Sequence, residues 1–336
     1  MQESVVIVML LLLLVYRVVG ESIVLSEEGF KSERPVSDGR VVETQIKSKH
    51  GVYDCVDVHK QPSLDHPLLK NHTIQVRPST ALRNMSHEAS LKSGHSTTKG
   101  IYTKTNGPQK YHGVTAVMSV YNPAVKSQQF SGAEISVEVG PPDQLNYIRA
   151  GWMVNHLNGG DTRTRVFISW SAGSKDICFN SHCNGFISVS RNPIDMVIDP
   201  TSVKRTNLVG LPLTICQDSN TRNWWLLSEG NYMGYWPKEI LPQLSNGGDS
   251  IKIGGRVYAQ DLKAFPPMGS GHWKNTDYTW TAYFNKIYFY DGYRWFIPDN
   301  AYIDAIWYGS YYRAADNSFK QGDKKYSFVY GGPNRG

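Results

Sequence analysis

Two arginines stand where a strand gives no reason for them. In NYIRAGWMVN, residues 146–155, Ile148, Ala150, Trp152 and Val154 alternate with Tyr147, Arg149, Gly151 and Met153. That period of two marks a strand, and Arg149 sits in its middle. IKIGGRVYAQ, residues 251–260, carries Arg256 in the same way. A guanidinium stays charged, donates hydrogen bonds and has no lone pair with which to take a proton. Such a pair can steady an anion but cannot act as a general base.

A hydrolytic reading needs a group that activates water, and carboxylates come first. Glu134 and Glu138 in AEISVEV fall on one face of a strand. At strand rise they are about 13 Å apart, too far to share one water. They read as surface charge, as do Asp161, Glu239 and Asp249 beside turns. Ser270 and His272 in GSGH do not form a nucleophile elbow, because no Gly-x-Ser-x-Gly is present. The cysteines are Cys55, Cys178, Cys183 and Cys216. His182 lies between the close pair, but no second ligand pair stands at zinc-finger spacing, so neither metal nor cofactor is expected.

The elements that must position these residues are strands. The chain has 336 residues with 20 Tyr, 9 Trp and 30 Gly, and from about residue 113 onward strand-like runs alternate with Gly- and Pro-rich turns. VTAVMSVY, RTRVFISW, NWWLLS and NKIYFYD are examples. Strands without intervening helices imply an all-β, antiparallel two-sheet β-sandwich of jelly-roll type. One short helix is expected over Lys238–Leu244, with Pro237 in its first turn. The net charge of +6 comes from scattered Lys and Arg, without the basic patch that nucleic-acid binding requires.

The first twenty residues read as an address. The apolar run from Val5 to Val15 is too short for a comfortable span, and small Gly20 suits signal-peptidase cleavage. Residues 1–20 are therefore expected to be a signal peptide, and the rest secreted, with no later membrane segment. An oxidising compartment favours a Cys178–Cys183 bridge across CFNSHC and leaves Cys55 and Cys216 paired with each other or single. Asn71 and Asn84 head N-glycosylation sequons. Residues 21–50 are polar, 51–78 compact but irregular, and 79–108 of linker composition. The division is thus 21–108 for an N-terminal segment, with its core at about 50–80, and 109–336 for the sandwich.

YDCVDVHKQPSLDHPLLKNHTIQ resembles the activation-peptide signature of the neprosin family. GPPDQLNYIRAGWMVN, GDTRTR, NWWLL, GYWPKEI, GGRVY and PPMGSGH resemble successive motifs of its catalytic domain. The resemblance covers about residues 50–335. It implies a plant secreted glutamic peptidase that cuts after proline, a β-sandwich fold, and a propeptide covering the active cleft. It also gives the two arginines a meaning. Active members carry catalytic glutamates just before Ala-Gly-Trp and just after Gly-Gly, and here those positions are Arg149 and Arg256. A carboxylate pair holds a water, one member taking its proton and the other donating to the oxyanion; arginines cannot do this. The catalytic set is therefore expected not to be intact. The two side chains are expected on adjacent or facing strands, converging in a positive cleft that favours an anionic group, with Trp152 and Tyr258 as further cleft residues. Relatives also carry a cysteine in the stretch matching TWTAYFNKI, where this chain has Ala282. The partners implied are Pro-containing peptides or proteins and the chain's own propeptide. An active peptidase with a rearranged site, or a cell-wall or carbohydrate-binding module, are the alternatives.

Overall fold

The computed structural model describes residues 40–79, 96–103, 109–127, 129–155, 161–173, 177–259, 265–274, 277–298, 303–306, 311–316 and 325–333. Residues 1–20, expected to be a signal peptide, and Asn84 lie outside the described residues. The chain divides into two units, Met1–Asp57 and Val58–Gly336. The first holds a hairpin of β1 (Thr44–Ser48) and β2 (Gly51–Cys55).

Among the described residues, the second unit is built from strands and short 3-10 turns. In chain order they are β3 (Ser96–Thr103), β4 (Gly113–Ser119), β5 (Gln129–Val139), β6 (Asn146–Asn155), β7 (Arg165–Ala172), β8 (Ile177–Phe179) and β9 (Ile187–Ser188). β10 (Gly210–Gln217), β11 (Trp224–Ser228), β12 (Asn231–Trp236), β13 (Ser250–Ala259) and β14 (Ala282–Tyr290) follow. The last are β15 (Trp295–Phe296), β16 (Ile303–Ile306), β17 (Arg313–Asp316) and β18 (Phe328–Gly331). One sheet runs β16-β3-β13-β5-β6-β7-β8 and the other β17-β18-β14-β4-β10-β11-β12-β9, with β15 on β14. The pairings are antiparallel. The expected antiparallel sandwich is what the chain forms.

The aromatic content is spent mainly in the buried core. Trp152, Trp170, Trp224, Trp225 and Trp236 are all essentially fully buried. Indoles that deep must place their N–H; Trp152 Nε1 donates across the sandwich to the Ser119 carbonyl at 3.0 Å, and Trp224 Nε1 to the Leu244 carbonyl at 3.0 Å.

Three expectations need correction. The stretch 79–108 is not all linker: β3 lies inside the first sheet between β16 and β13, so sandwich-forming chain begins before residue 109. Its Thr, Ile and Tyr residues suit a pleated surface, and Ile101 and Thr103 are buried. The helix over Lys238–Leu244 is instead a turn followed by a 3-10 turn at Pro242–Leu244. Pro242 has no N–H to continue a helical ladder. The compact stretch after Asp57, expected as irregular, forms three short 3-10 turns, two of them opened by Pro62 and Pro67, and packs on the second sheet. Buried Gln61 donates to the Ser188 carbonyl and accepts from its N–H at 2.8 Å. His72 Nε2 and the Gln75 N–H meet the Tyr235 hydroxyl at 2.9 Å.

Candidate functional site

The site lies on the face of the first sheet that looks away from the second. β5 runs between β13 and β6, and its register fixes what meets there. Arg256 stands opposite Gly132 and Arg149 opposite Ser136. Glu134 lies midway, opposite Gly254 on one side and Gly151 on the other. Residues directly opposite share a face, so both arginines, Glu134, Ser136, Glu138 and Lys252 point the same way. The sequence led us to expect the arginines on adjacent or facing strands; instead one strand, β5, separates β13 from β6. Their side chains nevertheless converge, because the residues beside Glu134 are glycines. A Cβ on Gly151 would fall 1.8 Å from the Ala133 carbonyl oxygen, so β5 and β6 approach this closely only without one.

What they converge on is a carboxylate. Arg149 Nε lies 3.2 Å from Glu134 Oε1, and its Nη2 donates to Glu138 Oε1 at 3.1 Å. Arg256 Nη1 reaches both Glu134 oxygens, at 3.1 and 3.0 Å. Lys252 Nζ pairs with Glu138, which also accepts from the Ser136 hydroxyl at 2.7 Å. The Glu134 and Glu138 side chains are 0% and 1% exposed. The surface role expected for them is thus wrong: β5 is flanked by strands on both sides, and the cations on those strands cover its charged face.

Burial alone would raise the Glu138 carboxyl, but Arg149, Lys252 and the hydrogen bonds hold it below the usual glutamate range. Burial works against the charge on Arg149, yet Glu134 and Glu138 outweigh it and its pKa rises. Arg256 moves the other way: burial and the neighbouring Arg149 lower it against the pull of Glu134. Rings fix both guanidinium planes. Arg149 lies 3.7 Å from the Tyr147 ring centroid and Arg256 5.0 Å from that of Phe130.

Above this cluster opens a cleft of about 270 Å³. Its floor holds Arg149, Arg256 and Tyr147, its walls Phe130, Met153, Phe167, Ile177 and Phe179, and Asn155, Ser169 and Ser171 add polar groups. Tyr258, one of the expected cleft residues, is half-buried and stacks on Phe130 at 5.5 Å. Trp152 is not a cleft residue. It follows Gly151 by one position, so the strand alternation turns it into the core.

The remaining candidates lie elsewhere. Asp161 is taken by Arg163 and Arg165 at 2.5 and 2.7 Å, Asp249 by Lys110, and Glu239 lies 3.8 Å from His72. The Ser270 hydroxyl contacts only backbone atoms of His272, so no nucleophile–base pair exists there. Cys178 and Cys183, the two residues of the expected bridge, are both half-buried. Cys178 belongs to β8, Cys183 follows the 3-10 turn Asn180–His182, and both pack as apolar groups against the core. No Cys, His, Asp and Glu cluster among the described residues can hold a metal. Asn71 is exposed. Sequence reasoning missed Lys252, Ser136, Tyr147 and the phenylalanine walls. The in-phase placement of Glu134, Ser136 and Glu138 was the available signal.

Residues 127–333 match the sequence model of the family described as Neprosin, and residues 45–114 that of the Neprosin activation peptide. Among solved structures, a scytalido-glutamic peptidase with a transition state analog inhibitor is similar over 70% of this chain and 97% of its own, at 9% identity and a TM-score of 0.39. The chicken-liver agglutinin CG-16 covers 48% of this chain and 97% of its own, at 9% identity and a TM-score of 0.25. A Ruminococcus gnavus IT-sialidase CBM40 covers 55% and 94%, at 12% identity and 0.26. Those structural likenesses are too loose to carry an argument about the site. The sequence match spans well over half of the chain and includes both arginine-bearing strands: the chain belongs to the neprosin family.

Proposed function

We propose that this is a secreted neprosin-domain protein that has kept a peptide-binding cleft and lost peptide hydrolysis. The observation that carries the reading is the pairing at the cleft floor. Arg149 and Arg256 occupy the positions where the family resemblance calls for catalytic glutamates, and the two carboxylates nearby, Glu134 and Glu138, are each held by two cations and closed to solvent. A glutamic mechanism needs one carboxylate to take a proton from water and another to carry one. Glu138 is buried with its pKa held down, which makes it a weak base, and Glu134 spans two guanidinium groups rather than a water. General-base help is worth about 10²–10⁴ in rate, and its loss should cost at least that. The apolar walls suit a proline-containing peptide, and the exposed Asn71 is accessible to a glycan.

The test is the full secreted chain, incubated with a proline-rich peptide from acid to neutral pH and read by mass spectrometry. No cleavage above a blank is expected at any pH. Clear cleavage that persists when Arg149 and Arg256 are both replaced by Ala would place the chemistry elsewhere and end this reading.

A further inference from the structure

We infer that the cleft over Arg149 and Arg256 is a carboxylate-binding site that takes the anionic end of a peptide. The inference rests on the peptide-binding reading above and names what such a peptide must carry. Charge comes first. Arg149, Arg256 and Lys252 face Glu134 and Glu138, so three cations meet two carboxylates and one positive charge is left over. The excess sits on the side of the arginines, since Lys252 is engaged by Glu138 and does not line the cleft.

Donors come second. Glu138 accepts from Arg149 Nη2 and Glu134 from Arg256 Nη1, and Arg149 Nε lies 3.2 Å from Glu134 Oε1 without hydrogen-bonding geometry. Arg149 Nη1 and Arg256 Nη2 make no hydrogen bond among the described residues, and Arg149 Nε and Arg256 Nε are both buried without a hydrogen-bond acceptor. A buried donor left unfilled is costly, and a carboxylate is the ligand whose two oxygens match guanidinium forks. The described residues lining the cleft include no Asp or Glu to compete for these donors.

Shape comes third. Phe130 and Tyr147 hold the guanidinium planes in place, so little freedom is lost on binding. Phe167, Phe179 and Ile177 offer an apolar wall beside them, suited to the side chain next to the charged group. A cleft of about 270 Å³ admits the end of a peptide rather than a long segment.

The carboxylate has two sources, a peptide's C-terminus or an acidic side chain, and three probes separate them. Ala-Pro-Phe-Pro-Phe is prepared with a free C-terminus, as the C-terminal amide, and as an amide with Glu replacing its final Phe. Binding of each, labelled at the N-terminus, to the full secreted chain is measured by fluorescence anisotropy, and each peptide is checked for integrity afterwards. The free acid should bind about ten- to a hundredfold more tightly than the amide, the range expected of a charge-assisted bond. If the Glu-containing amide matches the free acid, side-chain carboxylates serve equally; if it binds like the plain amide, the site is specific for a C-terminus. Arg256→Gln should remove the preference and Arg256→Lys restore part of it. Arg256 is the better position to change because Arg149 would leave two buried acids behind. Because the first comparison is made on the ligand, it stands even if a variant fails to fold. Equal binding of acid and amide, binding of none of the three, or a preference that survives in folded Arg256→Gln would overturn the inference. A peptide found cut would instead count against the loss of hydrolysis, leaving the carboxylate preference to be judged by the binding ratio.

Discussion

Glu138 shows how one residue sets the character of the site. Buried beside Ser136, Arg149 and Lys252, it is a carboxylate that the fold keeps ionised. Its folded pKa lies below the usual glutamate value. The stability it adds is therefore fully present above the unfolded value and is lost as pH falls through the folded one. Urea unfolding from pH 7 downward should show stability falling in the acid range below the ordinary glutamate pKa. Glu138→Gln should be destabilised at pH 7 by about 3–5 kcal/mol, since it strands Lys252 and takes from Arg149 one of its two carboxylates, and the gap to the parent protein should narrow on acidification. A gap that stays constant to pH 3 would mean that Glu138 does not carry the charge assigned to it.

At the scale of elements, the site exists because three strands come unusually close. Gly100, Gly254, Glu134 and Gly151 form one row across β3, β13, β5 and β6. The Gly-Gly pair in GGRVY serves two faces. A Cβ on Gly254 would strike the Lys99 carbonyl oxygen at 1.9 Å, and one on Gly255 would enter the Tyr330 ring at 2.0 Å. The first glycine lets β13 close on β3, and the second lets the core aromatics close beneath. Gly151→Ala should therefore push β5 from β6 and lengthen the Arg149–Glu134 pair. A loss of at least about 1–3 kcal/mol is expected, read as a lower denaturation midpoint, together with weaker binding of the free-acid peptide. An unchanged midpoint would show that the strands can relax without cost.

At the scale of the molecule, residues 58–79 act as a strap on the sheet that does not carry the cleft. Gln61 and Ser188 exchange hydrogen bonds, Leu69 is buried in the core, and the Ser79 N–H and hydroxyl both donate to Asp218. None of these residues lines the cleft. Gln61→Ala would leave the Ser188 N–H and carbonyl without their partner, at a cost of about 1–3 kcal/mol. Limited proteolysis should then cut within residues 58–79 about tenfold or more faster, with binding at the cleft unchanged. Loss of binding in that variant would mean that the strap and the cleft are coupled.

The sequence by itself determined the class of fold and the place of the anomaly. Period-two runs and Gly- and Pro-rich turns can be read locally, and so can Arg149 before AGW and Arg256 after GG. What only the tertiary structure decided is which groups meet those arginines. Glu134 and Glu138 read as surface charge because nothing in AEISVEV says that β5 is flanked on both sides or which residues oppose it. Register is a long-range property, and a slip of one residue would turn every side chain to the other face. The same alternation placed Trp152 in the core although it neighbours the site, and β3, polar in composition, became a strand because the first sheet pairs it on both edges. A strand's faces acquire an inside and an outside only when its neighbours are in place, and the arginine–glutamate cluster is made of residues from three of them.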